Sequence, residues 1–297
     1  MVEEINQDEF EKNLYKFLNT AIERHNIYIN KERGVQKPWT TDEVYKQFFF
    51  CNVFRQYDKC SKWIIENIIP IVEVQERWDL IILFRFISTM NLFLEIQKTC
   101  NLYDLQGIQS FLCNKKARGE RLFSSCFIRN PRIVGGWTDT YKVPFHLIKA
   151  IKMNGAMEKQ IRKNSLESLV DYLKQFPGVG GFMAYEYACD LEYSNHFNPT
   201  DKLTWANPGP GARKGLSLLL HGCIKKINLK LWSEYTPIIF KAMEKRFKKE
   251  FPKKIITMRE VEHWLCEFQK YVKYKNFMNG ENRIKHRKYN GVLNDTQ

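Results

Sequence analysis

Segment after segment of this chain places apolar residues three and four positions apart, and that spacing restricts it to packed helices. Phe10, Leu14, Phe17, Leu18, Ala21 and Ile22 form one such face within 9–30. After a break at 34–38, Thr40, Thr41, Asp42 and Glu43 supply N-cap chemistry for a helix running to about 62. Further helices are predicted over 64–71, 80–99, 144–157, 166–176, 182–193, 216–224, 232–247 and 258–274. The stretch 101–107 reads as a connector. Pro131, Gly135 and Gly136 make 123–137 a long loop. No pair of alternating runs suggests a β-hairpin, and no internal repeat is present. The expected fold class is therefore all-α. The expected organisation is one helical domain over 1–297, with lobes 1–164 and 165–280 and a basic tail at 281–297.

Composition narrows the function. Apolar residues at 44% and charged residues at 27% are ordinary for a globular protein and argue against wholesale disorder. The formal net charge of +14 favours a polyanionic partner, because Lys and Arg displace counterions from phosphates. The excess is concentrated in 115–162 and 241–288, where basic residues far outnumber acidic ones. Eight cysteines are present without a C-x-x-C pair, which fits reduced thiols better than a zinc site. The longest apolar run, 80–86, contains Arg85 and is too short to span a bilayer, so no membrane partner is expected. The first ten residues lack the character of a signal peptide.

Four segments carry the chemistry. In the first, Ser165-Leu166-Glu167-Ser168 opens a helix, and Phe176-Pro177-Gly178-Val179-Gly180 turns the chain into a second one. Two glycines let backbone approach a phosphate, and the following helix N-terminus points its dipole at the anion. Read alone, P-G-x-G is also an ordinary helix corner. The second segment is the loop 201–215. It joins Asp201, Trp205, a Gly209-Pro210-Gly211 turn and the adjacent cations Arg213 and Lys214, a set suited to a phosphate or pyrophosphate. No G-x-x-x-x-G-K-[ST] occurs in the chain.

The third segment runs from Gly34 through Pro38-Trp39-Thr40 into Phe48–Asp58, where Asn52, Arg55 and Asp58 recur at helical spacing. They would offer a ligand a carboxamide, a guanidinium and a carboxylate, although a buried Arg55–Asp58 pair is the more ordinary reading. The fourth is Val261-Glu262-His263-Trp264-Leu265-Cys266-Glu267-Phe268-Gln269-Lys270-Tyr271. A Cys266–His263 nucleophile pair competes there with a plain core helix.

The hairpin resembles that of the helix-hairpin-helix DNA glycosylases. Those enzymes place a catalytic Asp about twenty residues beyond the last hairpin glycine, and Asp201 lies 21 residues after Gly180. Their lyase lysine is replaced by Phe182. Taken jointly, G-x-x-x-P-W-T, F-x-x-C-N-V-x-R-x-x-D, P-G-V-G-x-F-x-A-Y-E, G-P-G-A-R-x-G and V-E-H-x-L-C-E-F-x-K-Y resemble the phage thymine-hypermodification family. These are the α-glutamyl/putrescinyl-thymine pyrophosphorylases, or amino acid:DNA transferases. They share a helical domain with 5-hydroxymethyluracil DNA kinases.

The resemblance implies a helix-hairpin-helix glycosylase-like fold and a transferase acting on double-stranded DNA with modified thymine. An amine or amino-acid co-substrate would displace pyrophosphate from 5-pyrophosphoryloxymethyl-uracil, on a base flipped from the stack. A 5-hydroxymethyluracil DNA kinase would be the functional partner, and the missing P-loop argues against this chain being that kinase. Asp201, with Glu186 second, is expected as the base. Arg213, Lys214 and the Gly209–Gly211 turn are expected at the pyrophosphate. Trp39 or Trp205 would stack on the base, and Asn52, Arg55 and Asp58 would hold the amino acid or the base edge. Mg²⁺ is compatible with this chemistry, and no cofactor is required by it. The setting would be the cytoplasm of a phage-infected bacterium, or the nucleus in a eukaryote. A monofunctional DNA glycosylase and a non-catalytic DNA-binding module are the competing readings.

Overall fold

A computed structural model describes residues 5–75, 77–123 and 140–281. Among these residues the regular structure is entirely helical, as the periodicity requires. In chain order the helices are α1 (Gln7–Glu32), α2 (Glu43–Gln47), α3 (Lys59–Asn67), α4 (Ile69–Gln75), α5 (Trp78–Ile87), α6 (Met90–Thr99) and α7 (Leu105–Ala117). They continue with α8 (Val143–Asn154), α9 (Met157–Arg162), α10 (Leu166–Leu173), α11 (Gly181–Leu191), α12 (Pro210–His221), α13 (Leu229–Glu250) and α14 (Met258–Met278). No helix of the described residues is long and apolar enough to cross a membrane. The described residues form two compact units, 5–55 with 202–281 and 56–201.

In the first unit α1, α12, α13 and α14 pack together, with α2 against α14. The tightest approach is between α12 and α14. Gly211 and Gly215 lie one turn apart on the same face of α12. A Cβ at 215 would overlap the Leu265 carbonyl, and one at 211 would overlap the Cys266 sulfur. Absent side chains therefore let two helix backbones meet. Around that contact α1 adds polar ties. The Asn13 amide donates to the carbonyls of Leu218 and Leu219 at 3.1 and 3.2 Å, and the Trp264 indole donates to the Phe17 carbonyl at 3.3 Å. Phe17 and Phe268 meet edge to face at 5.5 Å. At the start of α14, Thr257 and Glu260 form a reciprocal capping box.

The continuous helix expected from 41 to about 62 is interrupted. After α2 the chain is extended at Phe48 (φ −124°, ψ 146°). In an extended segment alternate residues share a face. Phe48 and Phe50 are thus both buried while Phe49 is 47% exposed. Phe48 stacks on Tyr274 at 4.1 Å, and Phe50 packs against Tyr45, Tyr271 and Tyr274. Arg24 supplies the hydrogen bonds that a helix would have provided, donating to the Phe50 carbonyl from Nε at 3.2 Å and Nη2 at 3.0 Å. Three aromatic residues in a row could not place two rings on α14 from a helix.

In the second unit α5 packs against α8 and α11, and α11 against α10. Every residue of α5 is buried, Arg85 included. Its guanidinium binds both carboxylate oxygens of Asp190 on α11, itself fully buried. A cation in an apolar helix is tolerated only when so paired. The single helix expected over 80–99 breaks at Ser88, which adopts a left-handed conformation (φ 52°) and ends α5. Helix α7 occupies a region that periodicity did not mark. The loop expected at 123–137 lies outside the described residues beyond Phe123.

Gly215→Ala should force α12 away from α14, because the clash is with backbone and cannot be relieved by a rotamer. A loss of about 2 kcal/mol, typical of overpacking, is expected in urea unfolding. An unchanged midpoint would refute the close approach.

Candidate nucleic-acid interface

The hairpin is formed in the second unit as the sequence suggested. Buried Leu166, Leu169, Val170 and Leu173 fix α10. The Val179 amide donates to the Phe176 carbonyl at 3.2 Å, and the Val179 side chain is buried, anchoring the turn. Gly178 takes φ +88°, the left-handed conformation that favours glycine. Gly180 is the extended N-cap residue of α11 (φ −80°, ψ 167°), and no side chain caps that helix. Pro177, Gly180 and Phe182 are exposed. The N-cap of α11 is thus an exposed glycine with no side chain of its own to set across the positive end of the helix.

Asp201 sits at the opposite end of α10. Its Oδ1 accepts from the Leu166 amide at 2.8 Å, and its Oδ2 accepts from the Ser165 hydroxyl at 2.8 Å and the Glu167 amide at 3.1 Å. The Asn164 carbonyl accepts from the Thr200 amide at 2.8 Å, and its side-chain oxygen from the Asn198 amide at 3.0 Å. The carboxylate thus caps the hairpin's first helix and ties the following loop to it. Glu186 lies on α11, one turn before Asp190, with its Oε2 3.8 Å from Arg85 Nη1. The signal for this buried cluster was Arg85 inside an apolar run, which demanded an anion that the sequence alone did not locate.

The remaining residues belong to the first unit, except Asp58, the N-cap residue of α3 in the second. Gly209 is the N-cap of α12, where a Cβ would come within 2.7 Å of Glu262 Oε1. Arg213 turns back, donating from Nε to the Pro208 carbonyl at 3.0 Å and from Nη1 to the Ile227 carbonyl at 3.4 Å. Lys214 is exposed, and Trp205 is half-buried. Trp39 is half-buried, with its indole donating to the Val35 carbonyl at 2.6 Å and Lys37 over its ring at 5.0 Å.

Asn52 and Arg55 approach α14. His263 Nε2 lies 3.2 Å from the Asn52 carbonyl. Burial, with Arg55, Arg259 and Lys270 nearby, pushes that imidazole well below its usual range. The ring is therefore neutral, and its one proton is on Nε2, donating to the carbonyl. Burial, then Glu267 and Glu262, pushes the Cys266 thiol up to about 12. A thiol held protonated to that point supplies no thiolate, so the pair does not suit nucleophilic catalysis. Glu267 accepts from the Cys51 amide at 3.0 Å and from Lys270 at 3.1 Å. Burial alone would lower the Lys270 pKa, but Glu267, Cys51 and Tyr274 together outweigh it and raise it. This cluster joins the 51–55 segment to α14.

Compared with known proteins, residues 11–279 match the family model described as 5-hmdU DNA kinase, helical domain. The chain belongs to that family. A 5-hmdU DNA kinase of Bacillus phage SP10 is 27% identical over 286 residues, an alignment covering 87% of this chain and 44% of the relative. The chain thus spans under half the length of that relative. No solved structure matches. Because the match takes in α12 and α14 as well as α3 to α11, the helical domain of the 5-hmdU DNA kinase family comprises both units.

Within this helical domain, Asp201→Asn should lower stability by about 1 kcal/mol, since the amide keeps one acceptor oxygen and loses the other with its charge. Urea unfolding reads this directly. An unaltered midpoint would show that the clasp on α10 contributes nothing.

Proposed function

We propose that this helical domain binds duplex DNA through the α10–α11 hairpin and acts there on a 5-substituted uracil. The observation that carries the reading is the exposed glycine N-cap of α11, in a +14 chain of the 5-hmdU DNA kinase helical-domain family. A phosphate at that helix end would meet backbone N–H donors and the positive end of the dipole. Such contacts hold a duplex without reading its sequence. The relative's name supplies the base, a 5-hydroxymethyl-deoxyuridine.

The reaction we assign is displacement of pyrophosphate from 5-pyrophosphoryloxymethyl-uracil by an amine. The amine nitrogen attacks the 5-methylene carbon, the carbon–oxygen bond to pyrophosphate breaks, and the nitrogen gives up a proton. Asp201 has both oxygens engaged as a cap, which suits it to positioning. Glu186 then takes first place as the base. Arg213 holds the 208–213 turn of the first unit through two carbonyls, and Lys214 beside it is exposed.

Duplex DNA bearing the pyrophosphorylated base, mixed with protein and an amine, should release pyrophosphate only when the amine is present. Glu186→Gln should slow a single turnover by about a hundredfold. Release of free base would replace this reading with a glycosylase. DNA binding without either product would reduce the domain to a binding module.

A further inference from the structure

The first unit holds a thiol that none of these roles uses. Cys51 follows the extended Phe48–Phe50 run and is half-buried. Its backbone amide donates to Glu267 Oε2 at 3.0 Å, and Lys270 Nζ lies 3.1 Å from the same oxygen. One carboxylate oxygen thus holds a cation close to Cys51. The Phe49 and Phe50 rings face that cation at 5.5 and 4.9 Å and restrict it further.

Cys51 is itself among the groups that keep Lys270 protonated, so the ammonium acts on the charge of the sulfur in return. A ring nitrogen of His263 lies within 4.8 Å of Cys51 Sγ. That imidazole is neutral, so Lys270 and not an imidazolium is the cation that faces the sulfur. Cys266 is in the opposite situation, pushed up by burial and by Glu267 and Glu262. A thiolate beside an ammonium is a nucleophile for carbon. The amine-transfer reading supplies the electrophile. In a 5-substituted uracil the C5–C6 double bond is conjugated with the C4 carbonyl, which leaves C6 electron-poor, and C5 carries the methylene that bears the leaving group.

We propose that Cys51 is a catalytic nucleophile that adds to C6 of the 5-pyrophosphoryloxymethyl-uracil base, with Lys270 as the residue that positions and neutralises it. The thiol first gives its proton to solvent. The sulfur–C6 bond then forms, the C5–C6 electron pair moves between C5 and the methylene carbon, and the carbon–oxygen bond to pyrophosphate breaks. The amine nitrogen adds to the methylene carbon and gives up a proton. The electron pair returns to C5–C6, and the sulfur–C6 bond breaks to regenerate the thiolate. The net reaction equals that of direct displacement. The inference rests on the amine-transfer reading for its substrate and on the first unit alone for its residues.

Single turnovers with an added amine, on duplex DNA whose pyrophosphorylated base carries protium or deuterium at C6, test it. Carbon 6 becomes tetrahedral as sulfur adds, so an inverse isotope effect is expected, whereas direct displacement leaves C6 untouched and gives none. Acid-quenched samples should contain a transient DNA–protein adduct that peptide mass spectrometry maps to Cys51. Cys51→Ser should slow the turnover by about a hundredfold or more with the melting temperature preserved. Without any DNA, Lys270→Met should slow alkylation of Cys51 by iodoacetamide by about tenfold. The inference alone is overturned by wild-type turnover in folded Cys51→Ser, by an adduct at another residue, or by an isotope effect of unity with no adduct. Alkylation unchanged in Lys270→Met removes Lys270 from the role. A wild-type protein that releases no pyrophosphate with any amine overturns the amine-transfer reading, and the addition to C6 with it.

Discussion

The first unit depends on how closely α12 can lie against α14. With a side chain at 215 the two backbones could not approach to the distance that places Leu265 against α12, and one at 211 would displace the Cys266 sulfur. That approach fixes the rest. It sets where Asn13 of α1 finds the last carbonyls of α12, and how α14 presents Trp264 and Phe268 to Phe17. The motifs G-P-G-A-R-x-G and V-E-H-x-L-C-E, far apart in sequence, are the two sides of this one contact. The second unit depends on a contact of the opposite kind. There the buried Arg85–Asp190 pair binds α5 to α11, with Glu186 3.8 Å from the same guanidinium.

Several residues that chemistry alone marked as reactive also hold parts of the fold together. Asp201 sits about twenty residues past the hairpin because it must reach back to cap α10, whose N-terminus lies beside that loop. Arg213 closes its own turn. His263 and Cys266 are neutral at ordinary pH for the same cause, burial, acting in opposite directions on an imidazole and a thiol. What remains exposed is the glycine end of the hairpin and Lys214.

Much of the helical content was legible because local spacing decides it: α1, α10, α11, α13 and α14 fall where apolar periodicity places them. The hairpin was legible too, since Gly178 takes a backbone conformation that few residues adopt. The breaks were less so. Phe48–Phe50 leaves the helix for partners on α14 more than two hundred residues away, and no local pattern reports a distant ring. Ser88 takes a left-handed conformation without being glycine. The capping role of Asp201 and the pairing of Arg85 with Asp190 are long-range facts of the same sort. Residue type shows that a partner is needed, but only the fold shows which.

The central claim is that the α10–α11 hairpin holds DNA by its backbone, and Gly180 offers the cleanest measurement. Nothing lies within 4 Å of a Cβ built there and the backbone is not left-handed, so Gly180→Val has room to fold. Its branched side chain would stand between a phosphate and the first turn of α11. Duplex DNA affinity should be measured for both proteins across a salt series, with melting temperatures alongside. The account predicts an unchanged melting temperature, affinity lower by about tenfold or more, and a log–log salt slope shallower by about one. Wild-type affinity and slope in the folded variant would contradict it.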